Sequence, residues 1–309
     1  MKPLSRAEIE MLGRVATAAL PRLRAASHLI RTDGPGDAIS AKAGRQLNLG
    51  AAILALAVLA DSGLEHYRGS FRNKAMFAPL AVSTLTLGAS LFGAMDTRPR
   101  RHPVRDGVYA LAAATAAVGF GFHAYNITKR PGRLSWLNLF YGAPIGAPVA
   151  LALAGLLGRG AERAREQPAK TATIFGRPAG RLLGGLASAG ILGTSGEAAL
   201  LHFRGAFQNP FMLAPVSVPP LAAALVGAAA VKPDPKLNAA AKAALWLTAA
   251  VGLLGPCFHA FGVHRGMGGW RNWSQNLLNG PPLPAPPAFT GLALAGLAAL
   301  DLIEAQDHD

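Results

Sequence analysis

The chain has 309 residues, of which 51% are hydrophobic and only 15% charged, and its mean hydropathy is +0.29. That composition excludes an ordinary soluble domain and fits a polytopic membrane protein. The net charge of +14 does not argue for nucleic acid, because the basic residues fall between long apolar segments, where topology and anionic lipid account for them. The single cysteine, Cys257, excludes both an intrachain disulfide and a thiolate metal cluster.

Arg14, Arg22 and Arg24 interrupt the apolar character of residues 1–29, so no cleavable signal segment is expected there. Ile9, Leu12, Val15 and Ala19 recur at helical spacing, which suggests an amphipathic surface helix within an N-terminal cytoplasmic segment, 1–45. Eight segments of roughly 20 residues are then apolar enough to span a bilayer. They lie near 47–66, 76–95, 107–127, 136–158, 181–203, 211–231, 241–263 and 283–303. A charged stretch, 159–180, divides them into a first set at 46–158 and a second at 181–304, and 305–309 form a short tail. Prolines 79, 215, 219 and 220 are expected to bend the second and sixth spans.

The two sets are copies. His66-Tyr67-Arg68-Gly69-Ser70-Phe71-Arg72-Asn73-Lys74-Ala75-Met76-Phe77-Ala78-Pro79 aligns without a gap on the stretch from His202 to Pro215, with 8 of 14 positions identical and an offset of 136 residues. The same offset carries Phe122-His123-Ala124 onto Phe258-His259-Ala260. Trp136–Pro148 also resembles Trp273–Pro286 with a small slip. Because each copy has an even number of spans, both enter the membrane in the same direction. The expected fold is therefore an all-α integral membrane protein of eight helices, built as two tandem parallel-repeat four-helix bundles.

Counting Lys and Arg in the loops gives 21 on the side of the N-terminus and 9 on the other. By that bias both termini are cytoplasmic, in a bacterial-type inner (plasma) membrane. His66, His123, His202 and His259 then share the outward ends of the first, third, fifth and seventh spans. A lone histidine near an interface is most often a solvated side chain. Four at matched positions, retained while their surroundings diverged, point to one shared role. Two imidazoles at equal depth on the diagonal of a four-helix bundle can ligate a haem iron from both faces. Small residues, Ser62, Gly119, Ala198 and Gly255, stand one turn before each histidine, where a porphyrin needs room.

Arg68 and Arg204 follow the first histidine of each pair by two positions and suit haem propionates, or they anchor the helix ends by snorkelling. Asp61 and Glu197 sit at equivalent positions inside a span and are candidates for proton transfer to a quinol, or for a structural hydrogen bond. Asn73 and Asn209 read as helix caps, and Met76 and Met212 as packing residues. No P-loop, dinucleotide fingerprint, HExxH or nucleophile motif is present.

The pattern resembles membrane cytochromes b and quinone-reactive anchor subunits in architecture, with no motif that ties it to one family. The resulting expectation is a membrane electron-transfer subunit with a bis-histidine haem b site in each half, His66 with His123 and His202 with His259, and pairing of histidines across the halves is the alternative ligation that the sequence leaves open. The protein would link a periplasmic redox partner or dehydrogenase subunit to quinone. The competing readings are a haem-free quinone-binding anchor and a transporter or metal-handling membrane protein. The inner halves of the spans carry few polar groups, which argues against transport.

Overall fold

The computed structural model describes residues 37–142 and 145–307. The amphipathic helix expected within 1–29 lies outside the described residues. Of the described residues, 81% are helical. The long helices are α1 (Ala38–Arg68), α2 (Ala78–Met95), α3 (Pro103–Thr128) and, after the short α4 (Trp136–Tyr141), α5 (Gly146–Arg165). A two-residue hairpin, β1 (Thr173–Ile174) and β2 (Arg177–Pro178), leads into α6 (Ala179–Arg204). The series then runs through α7 (Ala214–Val231), α8 (Pro235–His264), the short α9 (Trp273–Asn279) and α10 (Pro287–Asp307).

Among the described residues, six helices are long and apolar enough to cross a membrane: α1, α3, α8, α10, and α2 and α7 with the 3-10 turns that precede them. The protein is thus an all-α, multi-pass membrane protein. Two of the eight expected spans fall short of that measure. α5 carries Arg159, Glu162, Arg163 and Arg165 in its last two turns, and α6 is diluted by glycine, serine and Glu197. Outward-facing Leu85, Val118, Leu221, Leu247 and Leu253 form the apolar exterior that a bilayer requires.

Three boundaries differ from the hydropathy expectation. The fourth span does not run through 136–158. It divides into α4 and α5, because Gly142 and Pro144 cannot sit comfortably in a helix interior. The last span starts at Pro287, since the run Pro281, Pro282, Pro284 and Pro286 withholds the backbone donors a helix needs. The charged connection is helical as far as Arg165, and Phe175 and Gly176 turn its hairpin with φ values of 52° and 72°. Pro79 and Pro215 do not bend their helices. They occupy the first turn, where a missing N–H costs nothing, while Pro219 and Pro220 lie inside α7.

Packing follows the small residues. α1 packs on α2, α5 and α10; α3 on α2 and α5; α6 on α7 and α10; and α8 on α7 and α10. α1 and α10 cross in backbone contact: a Cβ on Gly50 would stand 2.5 Å from the Gly291 carbonyl oxygen. In lipid, where no hydrophobic effect drives helices together, such close approach supplies the attraction. Gly50→Val should lower stability by about 1–3 kcal/mol, read as a depressed thermal midpoint in detergent. An unchanged midpoint would show that the crossing is loose.

At the end of the bundle opposite the four histidines lies a buried ion network. Arg105 donates through Nε and Nη2 to the Glu162 carboxylate at 2.9 and 3.0 Å, and through Nη1 to Asp96 at 2.8 Å. Arg165, wholly buried, donates to the carbonyls of Gly93 (2.6 Å), Asp96 (2.7 Å) and Arg98 (3.2 Å). These bonds tie α2, α3 and α5 together and satisfy carbonyls that the end of α2 leaves open. Burial alone would raise the Asp96 carboxyl, but hydrogen bonds from Arg98 and Arg105 outweigh it and hold it well below the usual carboxylate range. Burial, helped by the Arg105 charge, lowers His102, whose two ring nitrogens have no hydrogen-bond partner among the described residues.

Both shifts act in the same direction on stability. The unfolded chain binds each proton more readily than the folded one, so stability is retained above the unfolded pKa values and lost as pH falls. Thermal midpoints should be level above pH ~6.5, decline gently below it as His102 charges in the unfolded state, and fall steeply below ~4 as Asp96 is titrated. In His102→Leu the gentle phase should vanish, and a midpoint that rises on acidification would contradict the assignment.

Candidate functional site

Each histidine-bearing corner is built in the same way. α1 ends at Arg68 and α6 at Arg204, and both chains then turn through left-handed backbone at non-glycine residues. Ser70 and Phe71 have φ of 57° and 46°; Ala206 and Phe207 have φ of 55° and 47°. Such conformations are costly for L-residues and persist where surrounding structure enforces them. Here Phe71 N donates to His66 O at 3.0 Å and Phe207 N to His202 O at 3.1 Å. Asn73 accepts from Ala75 N and Asn209 from Phe211 N, so both asparagines cap the next turn. Met76 and Met212 pack their terminal methyls over Gly69 and Gly205, as packing methionines should.

This turn brings a backbone carbonyl back onto each first histidine. His66 Nδ1 lies 2.6 Å from Met76 O, and His202 Nδ1 lies 2.8 Å from Met212 O. His259 Nδ1 meets Pro282 O at 2.6 Å, which is the use made of the extended proline run between α9 and α10. A carbonyl oxygen can only accept, so each of these Nδ1 atoms carries the proton. A histidine whose Nδ1–H is held by a carbonyl leaves Nε2 as its other ring nitrogen, the arrangement common to imidazoles that bind a metal. His123 Nδ1 is buried and has no partner among the described residues.

The pairing is within halves. The His202 and His259 ring centres are 6.5 Å apart with planes at 71°. His66 and His123 lie within electrostatic range of one another. An imidazole nitrogen binds a transition metal at about 2 Å, so two rings facing one another across a single ion have centres roughly 6 Å apart. The His202–His259 spacing is close to that value. Among the described residues no group of three or more His, Cys, Asp or Glu is placed to hold a metal. Two imidazoles by themselves would suit only a group that brings further donors of its own, as a porphyrin would.

The small residues beside the histidines have another occupant. A Cβ on Gly255 would overlap Pro286, and one on Gly119 would stand 3.9 Å from Pro148. Packing by itself accounts for Gly255, which admits Pro286, whereas at Gly119 a Cβ would make only ordinary contact with Pro148 of α5. Ser62 is buried and Ala198 half-buried. Arg68 is half-exposed and bridges to Glu65 on its own helix at 3.0 Å. Position 201 in the other half, equivalent to Glu65, is leucine.

Asp61 and Glu197, equivalent in sequence, are brought within electrostatic range of each other across the two halves. The Glu197 carboxylate lies against Gly146 at the start of α5, where a Cβ would overlap it. The sequence shows that these two positions correspond; their mutual approach depends on the packing of α5 against α1 and α6. Searches against protein-family models, curated proteins and solved structures find no match to this chain.

Proposed function

We propose that the protein is a membrane electron-transfer subunit, cytochrome b-like, with a bis-histidine haem b site in each half. The observation that carries this reading is the His202–His259 pair, with ring centres 6.5 Å apart and both Nδ1 atoms bonded to backbone carbonyls. His66 and His123 form the equivalent pair in the first half. The fold reading that accompanies it is eight spans, with α5 and α6 crossing beside the other six, arranged as two tandem four-helix repeats. Both termini are cytoplasmic and the histidine end faces outward.

Haem, when bound, supplies one-electron chemistry through its iron. The chain's own residues hold it in place. The carbonyls of Met76, Met212 and Pro282 would hold the rings of three of these histidines in place through Nδ1–H. Arg68 and Arg204, at the surface end of the same corners, supply guanidinium donors for propionate groups. Asp61 and Glu197 hold or release protons where a quinol would exchange them. Electrons pass locally, between a redox partner outside the membrane and quinone, since all four histidines lie at one end.

The proximity of Asp61 and Glu197 also favours a second reading, a haem-free quinone-binding anchor. The deciding experiment is a reduced-minus-oxidised optical spectrum of the detergent-purified protein after expression with added haem precursor. A b-type signal with two haems per chain is expected. A featureless spectrum would overturn the cytochrome reading, and quinone in the lipid extract of the same sample would then support the anchor.

A further inference from the structure

The two ends of the bundle differ in how charge is arranged. At the end opposite the histidines, acids and bases are interleaved and paired: Arg105 with Glu162, Arg98 with Asp96, Lys42 with Asp301 and Lys242 with Glu304. At the histidine end, segments 67–77, 128–146, 203–213 and 264–286 hold nine Lys and Arg residues and no Asp or Glu. All nine are exposed. Of these cations, Arg68 bridges to Glu65 on its own helix at 3.0 Å.

Crowding like charges repels and lowers stability, so a surface of this kind is maintained against a cost. The cations surround the histidine corners. Arg72 and Lys74 lie within the first corner, Arg133 follows α3, and Arg271 follows α8. Among them lies an open recess of about 470 Å³, walled by Tyr67, Arg68, Ser70 and Phe71 of the first half and by Leu278 and Asn279 of the second. A protein seated over that recess would stand within a few residues of His66.

We infer that the histidine end is a docking face for an acidic, soluble electron carrier. The inference rests on the electron-transfer reading for the word carrier, and on charge complementarity for the sign. Steering by opposite charge raises encounter rates and selects the partner more than it deepens affinity. A binding face of this kind is therefore recognised by its salt dependence and by its discrimination between carriers of opposite sign.

The test uses the full-length protein in nanodiscs of zwitterionic phosphatidylcholine. The probes are two fluorescently labelled carriers, an acidic flavodoxin and a basic cytochrome c, followed by anisotropy at low and high salt. Flavodoxin should bind at low salt and be released at high salt, and cytochrome c should not bind. The variant R72E/K74E/R133E/R271E should weaken flavodoxin binding at least ~10-fold and gain cytochrome c binding. R177E/R181E/K232E/K236E, which reverses four exposed cations at the opposite end, should change neither.

Flavodoxin binding that survives the first variant, or falls equally in the second, overturns the proposal. So does its loss when phosphatidylglycerol is added to the wild-type disc, which would assign the cations to lipid headgroups. If the quadruple variant does not fold, R72E/K74E and R133E/R271E are read as separate pairs by the same criteria. Binding needs no haem. A colourless protein that still discriminates between the two carriers would defeat the electron-transfer reading and leave the docking face standing. A haem-containing protein indifferent to carrier charge would defeat the docking face alone.

Discussion

Glu162→Ala should lower stability by about 3–5 kcal/mol, the largest loss expected from any single substitution in this protein. Glu162 is wholly buried and accepts two hydrogen bonds from Arg105 and one from the His102 backbone N–H at 2.7 Å. Removing it leaves the Arg105 guanidinium, itself buried, with only Asp96 as an anionic partner. The neighbouring Arg165, at 3.9 Å from Glu162, would then add uncompensated positive charge. Removing both partners in R105M/E162L should restore part of the loss, because the Arg105 guanidinium is no longer stranded and Asp96 keeps Arg98, while Arg165 still loses its carboxylate neighbour. Thermal midpoints of the two variants in the same detergent decide the matter. Equal losses in both would mean that the ion pair contributes through shape and not through charge.

The second large effect is on cofactor content. His259→Ala should remove about half of the b-type signal, and His202→Ala the same half, because one axial ligand cannot hold a low-spin haem alone. The double variant should lose no more than either single one. His66→Ala and His202→Ala combined should abolish the signal. If ligation instead crossed between the halves, a different combination would be silent, and His202→Ala with His259→Ala would abolish it. Haem content measured by extraction, beside the helical signal of each variant, separates loss of ligand from loss of fold. Pro282 supplies only a carbonyl, so Pro282→Ala should keep the haem and shift its midpoint potential if the outer partner acts by position.

The sequence by itself determined that the chain is an all-α, multi-pass membrane protein, and it showed the alignment of the two histidine-bearing stretches. Hydropathy is a property of neighbouring residues, and a 136-residue offset is visible without coordinates. Caps were legible for the same reason: Asn73 and Asn209 act on donors two residues away. The helix breaks were less legible. A window of twenty residues smooths over Gly142 and Pro144, and it adds the apolar α4 to the apolar start of α5.

Only the tertiary structure decided the rest. Arg105, Glu162 and Arg165 read in sequence as loop charges beside a helix end, and packing of α2, α3 and α5 turned them into a buried network. The carbonyls on His66 and His202 come from residues ten positions away, across a turn made by left-handed Ser70, Phe71, Ala206 and Phe207, residue types that carry no signal for it. The partner of His259 lies 23 positions away. The spacing of His202 from His259 and the approach of Asp61 to Glu197 depend on which helix faces lie together. A linear pattern identifies the residues able to do chemistry, but hydrogen bonds between helices form only when packing has placed donor and acceptor within 3 Å of one another, and that selection is made by shape.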